Sequence, residues 1–481
     1  MKLKSLIPAI AALVFAACTQ SSPVLTIEGG QVQGIPGKKA GVTVFKGIPY
    51  AAPPIGELRW KEPQPVVPWE GVRIADTYGH PGFQVTHYPG GYTTEWGYGD
   101  EPAYSEDCLY LNVWTKAPGQ TDRKLPVALW IHGGGLREGW GFEPEFEGDE
   151  WAAKDVVLVS INYRLGMFGF FCHPDLIAEN EHGTSGNYGI LDQIQALKWI
   201  KANIAQFGGD PDNVTIFGQS GGGRSVRTLS ESPLARGLFH KAVIMSAQGL
   251  AVAPPAAVNG GMPPMPAMPA ATLESQAGNY KTIMDWAGLT DLQKMRACST
   301  EEIFSIVNIY NRIHGIRAFG MFAPVVDGYC CKETFDEAAI SGNLAEVPYM
   351  IGFTLNDAGN MAPGIAAFGK NREEHGVKAY AYQFARPLPD DGSHPEDYLK
   401  GAFHSSDLWF VFKTLANCWR PWTQGDWDLS EKMLTAWTNF AKDSDPGLGW
   451  EPCTAENPKF MVFRLDENDA EASFFGEPLR P

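Results

Sequence analysis

Short apolar runs separated by turn residues recur along this chain and predict buried β-strands. Two of them, Val127–Ile131 and Val156–Val159, are apolar at every position. A strand of this kind must be covered on both faces, as in a parallel sheet with helices packed on each side. Two earlier runs are predicted as antiparallel edge strands, Val24–Ile27 and Val42–Phe45. The remaining predicted strands are Leu109–Trp114, Val214–Phe217, Ala242–Met245 and Val347–Thr354.

An amphipathic helix is predicted before the strand that begins at Val214. Its apolar residues recur at steps of three and four positions, and Gly208 and Gly209 follow the last of them as a stop. These apolar positions are Ile190, Ile194, Leu197, Ile200, Ile204 and Phe207. Strands that alternate with helices in this way predict an α/β fold with a mostly parallel central sheet flanked by helices.

Length alone allows one large domain or two, because 481 residues exceed the size at which a single simple core usually stops growing. Residues 78–104 show no helix or strand pattern and are predicted as a long loop, either functional or a surface excursion. The aromatic residues of this loop include Tyr88, Tyr92, Trp96 and Tyr98. Residues 251–272 are rich in Pro and Met, which excludes a helix or a central strand. We predict a surface loop there, and the alternative is a mobile segment beside a substrate entrance, where Met adapts to apolar ligands.

The first eighteen residues have the pattern of an export signal. Lys2 and Lys4 precede the apolar stretch Leu6–Ala17, which has secretory length and is too short to span a bilayer. The end of this segment, Leu13–Cys18, is similar to a bacterial lipobox, in which the cysteine becomes the lipidated first residue. We therefore predict an exported lipoprotein, periplasmic or anchored to the outer membrane through Cys18. If Cys18 is not lipidated, the pattern predicts a secreted protein.

The charge and the cysteines restrict the partners. The formal net charge is −17 and no basic run is present, which argues against nucleic acid and anionic membrane surfaces as partners. Beyond Cys18 there are seven cysteines, an odd number, so at least one thiol stays outside any intrachain disulfide. The chain has no Cys-x-x-Cys pair, and we predict no metal site.

The strongest candidate for chemistry is Gly218–Gly222, which reads G-Q-S-G-G and fits the pattern G-x-S-x-G. It follows the predicted strand Val214–Phe217 and precedes a segment that can form a helix. Small neighbours permit a sharp strand-to-helix turn that holds Ser220 in strained backbone and lifts its hydroxyl clear of the sheet. The N–H of Gly221 then lies at a helix N-terminus and faces a developing oxyanion. An ordinary glycine turn is the alternative for this motif taken alone.

A second glycine-rich sequence, His132–Gly135, follows the predicted strand Val127–Ile131. Glycines beyond a strand let backbone N–H groups point into a cavity without side chains in the way, and H-G-G-G is an oxyanion-loop pattern. The N–H groups of Gly134 and Gly135, together with that of Gly221, are the predicted donors. Two glycine-dependent features after two strands of one sheet are much less expected by accident than either alone.

A nucleophilic serine needs a base, and the base needs an acid that holds its tautomer. Asp357 follows the predicted strand Val347–Thr354, at a position where α/β folds collect catalytic groups, although a turn-forming Asp is the alternative. The small-residue loop around His404 favours that histidine, and composition alone leaves the choice open. The histidines after Ser220 are His240, His314, His375, His394 and His404.

Beyond these motifs, the sequence closely resembles the type-B carboxylesterase family, the cholinesterase-like branch of the α/β-hydrolases. The likeness extends from about residue 24 to about residue 465. Six stretches carry it, in addition to the motif around Ser220. They are Phe45–Ala51 (FKGIPYA), Leu58–Trp60 (LRW), Ser105–Asn112 (SEDCLYLN), Ile161–Gly166 (INYRLG), Gly186–Gln193 (GNYGILDQ) and Phe207–Pro211 (FGGDP).

The resemblance implies an α/β-hydrolase fold in one domain, residues 19–481, with large helical insertions after the nucleophile strand. It implies hydrolysis of small-molecule carboxylic esters by a serine nucleophile through an acyl-enzyme intermediate, without a metal or organic cofactor. The residues that it implies as the catalytic triad are Ser220, Asp357 and His404, with Gly134, Gly135 and Gly221 as the oxyanion hole.

Some positions depart from the family pattern. Gln219 stands where Glu is common, which removes a negative charge and is expected to weaken attraction for cationic substrates. Asp357 stands where Glu is usual, so its loop must lie closer to His404. Cys108 matches a cysteine that usually forms a disulfide, but the partner position is Gly82, and we predict a buried thiol.

Further positions have supporting or unexplained roles. The family often has a serine and a carboxylate that support the histidine, and Ser246 and Asp407 fall at those places. Arg224 falls where a small residue is common, and the sequence gives no account of it. The aromatic loop 78–104 and the predicted surface anchoring suggest an alternative substrate class, carbohydrate-linked acetyl or feruloyl esters. A non-catalytic binding module is a further alternative, because the family includes adhesion proteins that lack the nucleophile or its partners.

Overall fold

The computed structural model describes residues 22–85, 87, 90–97, 101–252, 272–315, 322–357, 359–392, 399–465 and 472–478. Cys18 and the export signal lie outside the described residues, as do His394 and most of the predicted loop 251–272, so the predictions on them stay predictions. Across the described ranges, no helix combines the length and the apolar character that crossing a bilayer demands.

Fourteen strands lie within the described part of the chain. They are β1 (Val24–Ile27), β2 (Gly30–Gln33), β3 (Ile35–Pro36), β4 (Thr43–Pro49), β5 (Val72–Ile74), β6 (Tyr110–Thr115), β7 (Leu125–Ile131), β8 (Val157–Ile161), β9 (Gly209–Gln219), β10 (Lys241–Met245), β11 (Tyr349–Thr354), β12 (Ala379–Phe384), β13 (Lys459–Leu465) and β14 (Ala472–Pro478). Eleven of them form one sheet in the order β14-β13-β12-β11-β10-β9-β7-β8-β6-β4-β3, while β1, β2 and β5 form a small separate sheet.

The centre of the large sheet is parallel. From β13 to β8 every neighbouring pair runs in the same direction. Antiparallel strands complete both edges, with β6, β4 and β3 at one side and β14 at the other. The prediction of a largely parallel sheet is therefore confirmed, and β4 is an antiparallel strand near the edge as expected. The run Val24–Ile27 is also an antiparallel edge strand as predicted, and it lies in the small sheet, where it pairs with β2.

Helices cover both faces of the large sheet. They are α1 (Tyr92–Trp96), α2 (Asp149–Ala153), α3 (Gly166–Phe170), α4 (Pro174–Glu179), α5 (Tyr188–Asn203), α6 (Gly221–Glu231), α7 (Leu273–Trp286), α8 (Leu292–Ala297), α9 (Thr300–His314), α10 (Phe335–Ser341), α11 (Ala362–Glu374), α12 (Leu408–Phe412) and α13 (Gln424–Asp443). Short 3₁₀ helices occupy Gly56–Leu58, Ile204–Phe207, Pro233–Ala235 and Leu415–Asn417. The inserted helices α7 to α10 lie between β10 and β11. The fold is that of an α/β-hydrolase.

The core explains the apolar strands. In β7, Leu129 and Ile131 belong to the cluster that packs against α5, whereas Ala128 and Trp130 belong to the cluster that packs against α12 and α13. All four residues are fully buried. Because successive strand residues point to opposite faces, a strand between two helical layers must be apolar throughout.

The prediction of a loop over residues 78–104 is wrong in one respect, because the segment contains helix α1. The helix is a single turn of five residues, too short for a 3.6-residue periodicity to show in the sequence. Of its four noted aromatic residues, Tyr92 and Trp96 lie in α1, and Tyr88 and Tyr98 lie outside the described residues.

The parallel register brings four loops together. Ile131 at the end of β7 pairs with Gly218 of β9, and Met245 at the end of β10 pairs with Gln219 on one side and Gly352 on the other. The strands β7, β9, β10 and β11 thus end at one edge of the sheet. In open α/β sheets, ligands bind outside this carboxyl edge.

Candidate active site

Ser220 occupies a sharp turn between β9 and α6. Its backbone has φ 56° and ψ −117°, a conformation that non-glycine residues rarely adopt and that marks functional turns. The turn needs close backbone approach, because a Cβ on Gly222 would lie only 1.9 Å from the carbonyl oxygen of Ile131. The N–H of Ser220 donates to the carbonyl of Met245 at 2.9 Å, which fixes the turn above β10. Ser220 is partly exposed at the wall of a cavity.

The glycine loop after β7 meets the start of α6. A Cβ on Gly221 would lie 2.9 Å from the backbone nitrogen of Gly135, so the two backbones are in contact. Gly134 has φ 83°, and a Cβ there would come within 2.1 Å of the carbonyl oxygen of Glu138. Only glycine fits this conformation and this spacing. Gly134, Gly135 and Gly221 line the same cavity as Ser220.

His132, the first residue of the glycine loop, is held by contacts with Tyr163. Its ring is buried and stacks on that of Tyr163, with centroids 4.5 Å apart, and the Tyr163 hydroxyl donates to the His132 carbonyl at 2.8 Å. Burial lowers the pKa of His132 to about 3. The imidazole is therefore neutral at physiological pH, and its role is to hold the loop in place.

Asp357 and His404 lie together in loops after β11 and before α12. His404 Nδ1 is 2.7 Å from Asp357 Oδ1, and the carboxylate is 1% exposed. The Thr354 hydroxyl donates to the other carboxylate oxygen at 3.3 Å. A buried carboxylate at this distance accepts the Nδ1–H proton and leaves Nε2 as a hydrogen-bond acceptor.

Asn356 joins the acid loop to the histidine loop. Its N–H donates to the carbonyl of Ala402 at 2.9 Å, and its side-chain oxygen accepts from the Ala402 N–H at 2.9 Å. This pair of bonds sits one residue before Asp357 and two before His404. These two bonds fix the distance between the Asp357 carboxylate and the His404 imidazole. The two loops must lie close together because Asp is shorter than the Glu that is usual at this position.

Gln219 contacts the free nitrogen of the imidazole. Its side-chain nitrogen lies 3.2 Å from His404 Nε2, and the amide donates if Nδ1 carries the ring proton. Between the described residues Ser220 and His404 no hydrogen bond forms in this geometry. Both side chains line the same cavity, and catalytic hydrogen bonds are often loose before substrate binds.

Asp407 lies behind His404. It is fully buried and accepts a hydrogen bond from the Tyr382 hydroxyl at 3.0 Å. Burial, and secondarily the charge of Asp357, raises its pKa to about 6, while Tyr382 and His404 oppose the shift. Ser246, the other predicted supporting residue, lines the cavity with a buried hydroxyl that has no hydrogen-bond partner among the described residues.

The raised pKa of Asp407 predicts a pH-dependent stability. A carboxyl whose pKa is raised on folding favours the folded state below its ordinary pKa of 3.8 and loses that contribution as the pH rises through about 6. Asp407→Asn is therefore expected to gain stability over the wild type as the pH rises from 4 to 8, by about 3 kcal/mol for two pKa units.

Urea unfolding of both proteins at pH 4, 6 and 8 measures this gain. Asp122→Asn, in an exposed turn before β7, is the matched control and should show a difference that does not change with pH. A difference between Asp407→Asn and the wild type that is constant over this range would contradict the prediction.

The cavity has a volume of about 590 Å³ and mixed walls. Tyr92 lines it and donates from its hydroxyl to the His404 carbonyl at 2.8 Å, so α1 supports the histidine loop. Glu145 is another wall residue, and burial raises its pKa well above the ordinary value. The remaining charged residues at the wall include Arg137, Glu138, Glu143, Arg224 and Arg227.

The structure brings most of the sequence-predicted site residues to one cavity. Those that line it are Gly134, Gly135, Gln219, Ser220, Gly221, Ser246, Asp357 and His404. Asp407 lies behind His404 and is not among the residues that line the cavity. His314 and His375 are exposed and bond to carbonyls of their own helices, and His240 accepts from the N–H of Val214, so these three lie elsewhere.

Sequence reasoning missed three residues of the site. Asn356 and Tyr382 act through contacts with residues 46 and 25 positions away, and no local pattern marks such pairs. Tyr92 was noted only as one aromatic residue of a loop. Cys108 is a buried free thiol, as predicted.

Comparison with known proteins shows which family and which fold the chain shares. The carboxylesterase family model matches residues 21–373 and 360–478. A para-nitrobenzyl esterase of Bacillus subtilis is 31% identical, over 93% of this chain and 97% of its own length. A human cocaine esterase is 31% identical, over 92% of this chain and 88% of its own. A solved structure of a thermophilic PNB esterase superimposes with a TM-score of 0.77 at 28% identity, over 95% of this chain and 98% of its own.

An α/β-hydrolase fold with a serine at a strained strand-to-helix turn defines a class of hydrolytic enzymes. Within that class, the chain belongs to the carboxylesterase family. It is a carboxylic ester hydrolase.

Proposed function

We propose that this enzyme cleaves small-molecule carboxylic esters with Ser220 as nucleophile, His404 as general base and Asp357 as the acid that orients His404. The observation that carries the proposal is the 2.7 Å contact between His404 Nδ1 and Asp357 Oδ1 at the wall of the cavity that Ser220 also lines. The strained backbone of Ser220 supports it further.

In the proposed reaction, His404 Nε2 takes the proton of Ser220 as its Oγ attacks the ester carbonyl. The Ser220 hydroxyl replaces the amide of Gln219 as the donor to this nitrogen. The backbone N–H groups of Gly134, Gly135 and Gly221 stabilise the oxyanion, a term worth about 3–4 kcal/mol for each donor. His404 then protonates the leaving alkoxide, and water cleaves the acyl-enzyme by the same steps in reverse.

Covalent labelling tests the assignment of the nucleophile. A fluorophosphonate probe reacts with a serine only when a base and an oxyanion site activate it. We expect one adduct for each chain, on the peptide that contains Ser220, and none after denaturation. Ser444→Ala, a substitution far from the cavity, should label like the wild type. An adduct on another serine, or no adduct in folded protein, would reject the proposal and favour a non-catalytic binding module.

One observation favours the carbohydrate-linked alternative. Tyr92 is 38% exposed at the cavity wall, so part of its ring is open to a sugar or a feruloyl group. Trp96, by contrast, is buried against Tyr92 and Trp409. Rates on methyl ferulate and acetylated xylan, measured beside those on 4-nitrophenyl butyrate, distinguish the two substrate classes.

A further inference from the structure

Arg224 lies at the wall of the catalytic cavity, and its side chain has no hydrogen-bond or ion-pair partner among the described residues. Its side chain lines the cavity and is exposed to it, and no acceptor or carboxylate in the described part of the chain binds it. Burial lowers the pKa of the Arg224 guanidinium, and no carboxylate counters this effect. The guanidinium is thus open to the cavity, and no carboxylate of the described residues offsets its charge there.

Arg224 lies in the first turn of α6, close along the chain to the nucleophile Ser220. The N–H of Arg224 donates to the carbonyl of Ser220 at 2.9 Å, so one turn of α6 separates the two residues. Ser220 itself has a non-helical backbone at the N-cap of α6, and both it and Arg224 line the catalytic cavity. A helical side chain also leans toward the N-terminus of its helix, which here is the Ser220 end. The side chain of Arg224 therefore shares one cavity with the Ser220 nucleophile, one helical turn away along the chain.

Arg227, the next arginine of α6, makes contacts that are typical of a structural role. Arg227 lies one turn further along α6 and donates to Asp336 at 3.2 Å and to the Ala247 carbonyl at 2.9 Å. Its guanidinium also lies over the Phe335 ring, 4.5 Å from the centroid. Within the described residues, Arg224 makes no such bond or ring contact, and Asp336 already accepts from Arg227 and from the N–H of Ala251. The positive charge of Arg224 therefore stays available to a ligand.

The acidic residues of the cavity do not neutralise this charge. Burial, and next the charge of Glu143, raises the pKa of Glu145 well above its ordinary value, which favours its uncharged form. Glu143 accepts from the Trp140 N–H at 2.7 Å, and Glu138 faces His87 at 3.7 Å. These three groups follow the oxyanion loop, whereas Arg224 lies on α6.

We propose that Arg224 binds a carboxylate of the substrate, so that the preferred substrates are esters in which the acyl half or the alcohol half carries a free carboxylate. This inference deepens the proposed function and rests on it. The guanidinium presents two parallel N–H groups that fit a carboxylate, and a site partly shielded from water strengthens the pair. A bound carboxylate also offsets the positive charge of Arg224, which pairs with no side chain of the described residues.

Matched substrate pairs test the proposal and identify the half that carries the charge. The acyl arm compares monomethyl adipate with methyl hexanoate, and the alcohol arm compares 4-acetoxybenzoate with phenyl acetate. In at least one arm, Arg224→Gln should lower kcat/KM for the charged ester by roughly 10- to 100-fold, the range for a charge-assisted hydrogen bond. The neutral ester of the same arm should change less than about threefold, since the catalytic contacts remain.

Two further variants separate recognition from general damage. Arg224→Lys keeps the charge but loses the paired N–H groups, so it should recover part of the preference. Arg312→Gln removes an exposed arginine on α9, away from the cavity, and should leave both members of each pair unchanged. Equal losses on charged and neutral esters in both arms, or no loss in either, would overturn the proposal. If Ser220→Ala still turned over the neutral esters, the proposed function itself would be at fault.

Discussion

Ser220→Ala is expected to lower kcat for 4-nitrophenyl butyrate by roughly 10⁵- to 10⁶-fold, the size of effect seen when a serine nucleophile is removed. Without the hydroxyl no acyl-enzyme forms, and water must attack the ester directly. The glycine N–H groups and the cavity remain, so a small residual rate above the uncatalysed reaction should persist.

The same substitution should leave the fold intact. Ser220 is partly exposed, and its side chain makes no hydrogen bond within the described ranges that folding would lose. The backbone at Ser220 stays strained with either residue, because alanine tolerates a φ of 56° no better than serine. We expect a melting temperature within a few degrees of the wild type.

A matched control separates the role of the hydroxyl from that of the backbone. Ser444 also has a positive φ, 63°, at the end of α13 and away from the cavity. Ser444→Ala should therefore keep full activity with a similarly small effect on the melting temperature. Activity above a few per cent of wild type in Ser220→Ala, from protein free of wild-type contamination, would show that Ser220 is not the nucleophile.

The sequence predicted the elements whose local pattern is strong. The apolar run Val127–Ile131 predicts a strand buried on both faces, and it forms most of β7, an interior strand of the large sheet. The strand before Ser220 was predicted from Val214 but begins at Gly209, since its polar first half, Asp210–Asn213, carries no apolar signal. Backbone pairing with β7 already starts there, at Leu125 and Gly209.

The parts that escaped prediction depend on contacts between distant segments. The motif around Ser220 is local in the sequence. No local pattern distinguishes His404 from the other histidines, because its place beside Asp357 depends on the bond between Asn356 and the Ala402 backbone, 46 residues away. The contact between Gln219 and His404 depends on how two loops meet above the sheet. The sequence marks Arg224 as unusual, but only the structure shows that no side chain in the described ranges pairs with it.

Asp357→Asn should have the second largest effect, a loss in kcat of roughly 10⁴-fold at pH 7 to 8 with little change in structure. The carboxylate of Asp357 accepts the Nδ1–H of His404 at 2.7 Å and so fixes the tautomer with a free Nε2. An asparagine amide can donate to Nδ1 instead, which moves the ring proton to Nε2. Nε2 then carries a proton and cannot accept the one from Ser220.

The contacts of Gln219 sharpen this prediction. The Gln219 amide donates to Nε2 at 3.2 Å only while Nε2 is unprotonated, so the tautomer change should break this contact as well. Proton NMR of the imidazole should show the strongly hydrogen-bonded Nδ1–H in the wild type and lose it in Asp357→Asn. Asp357→Glu keeps the charge and should restore a large part of the rate. Any remaining loss in rate depends on how far the loop that Asn356 holds can adjust to the longer side chain. If Asp357→Asn instead kept more than a tenth of the wild-type rate, the buried carboxylate would be a loop contact, and the tautomer of His404 would have to be fixed by another group.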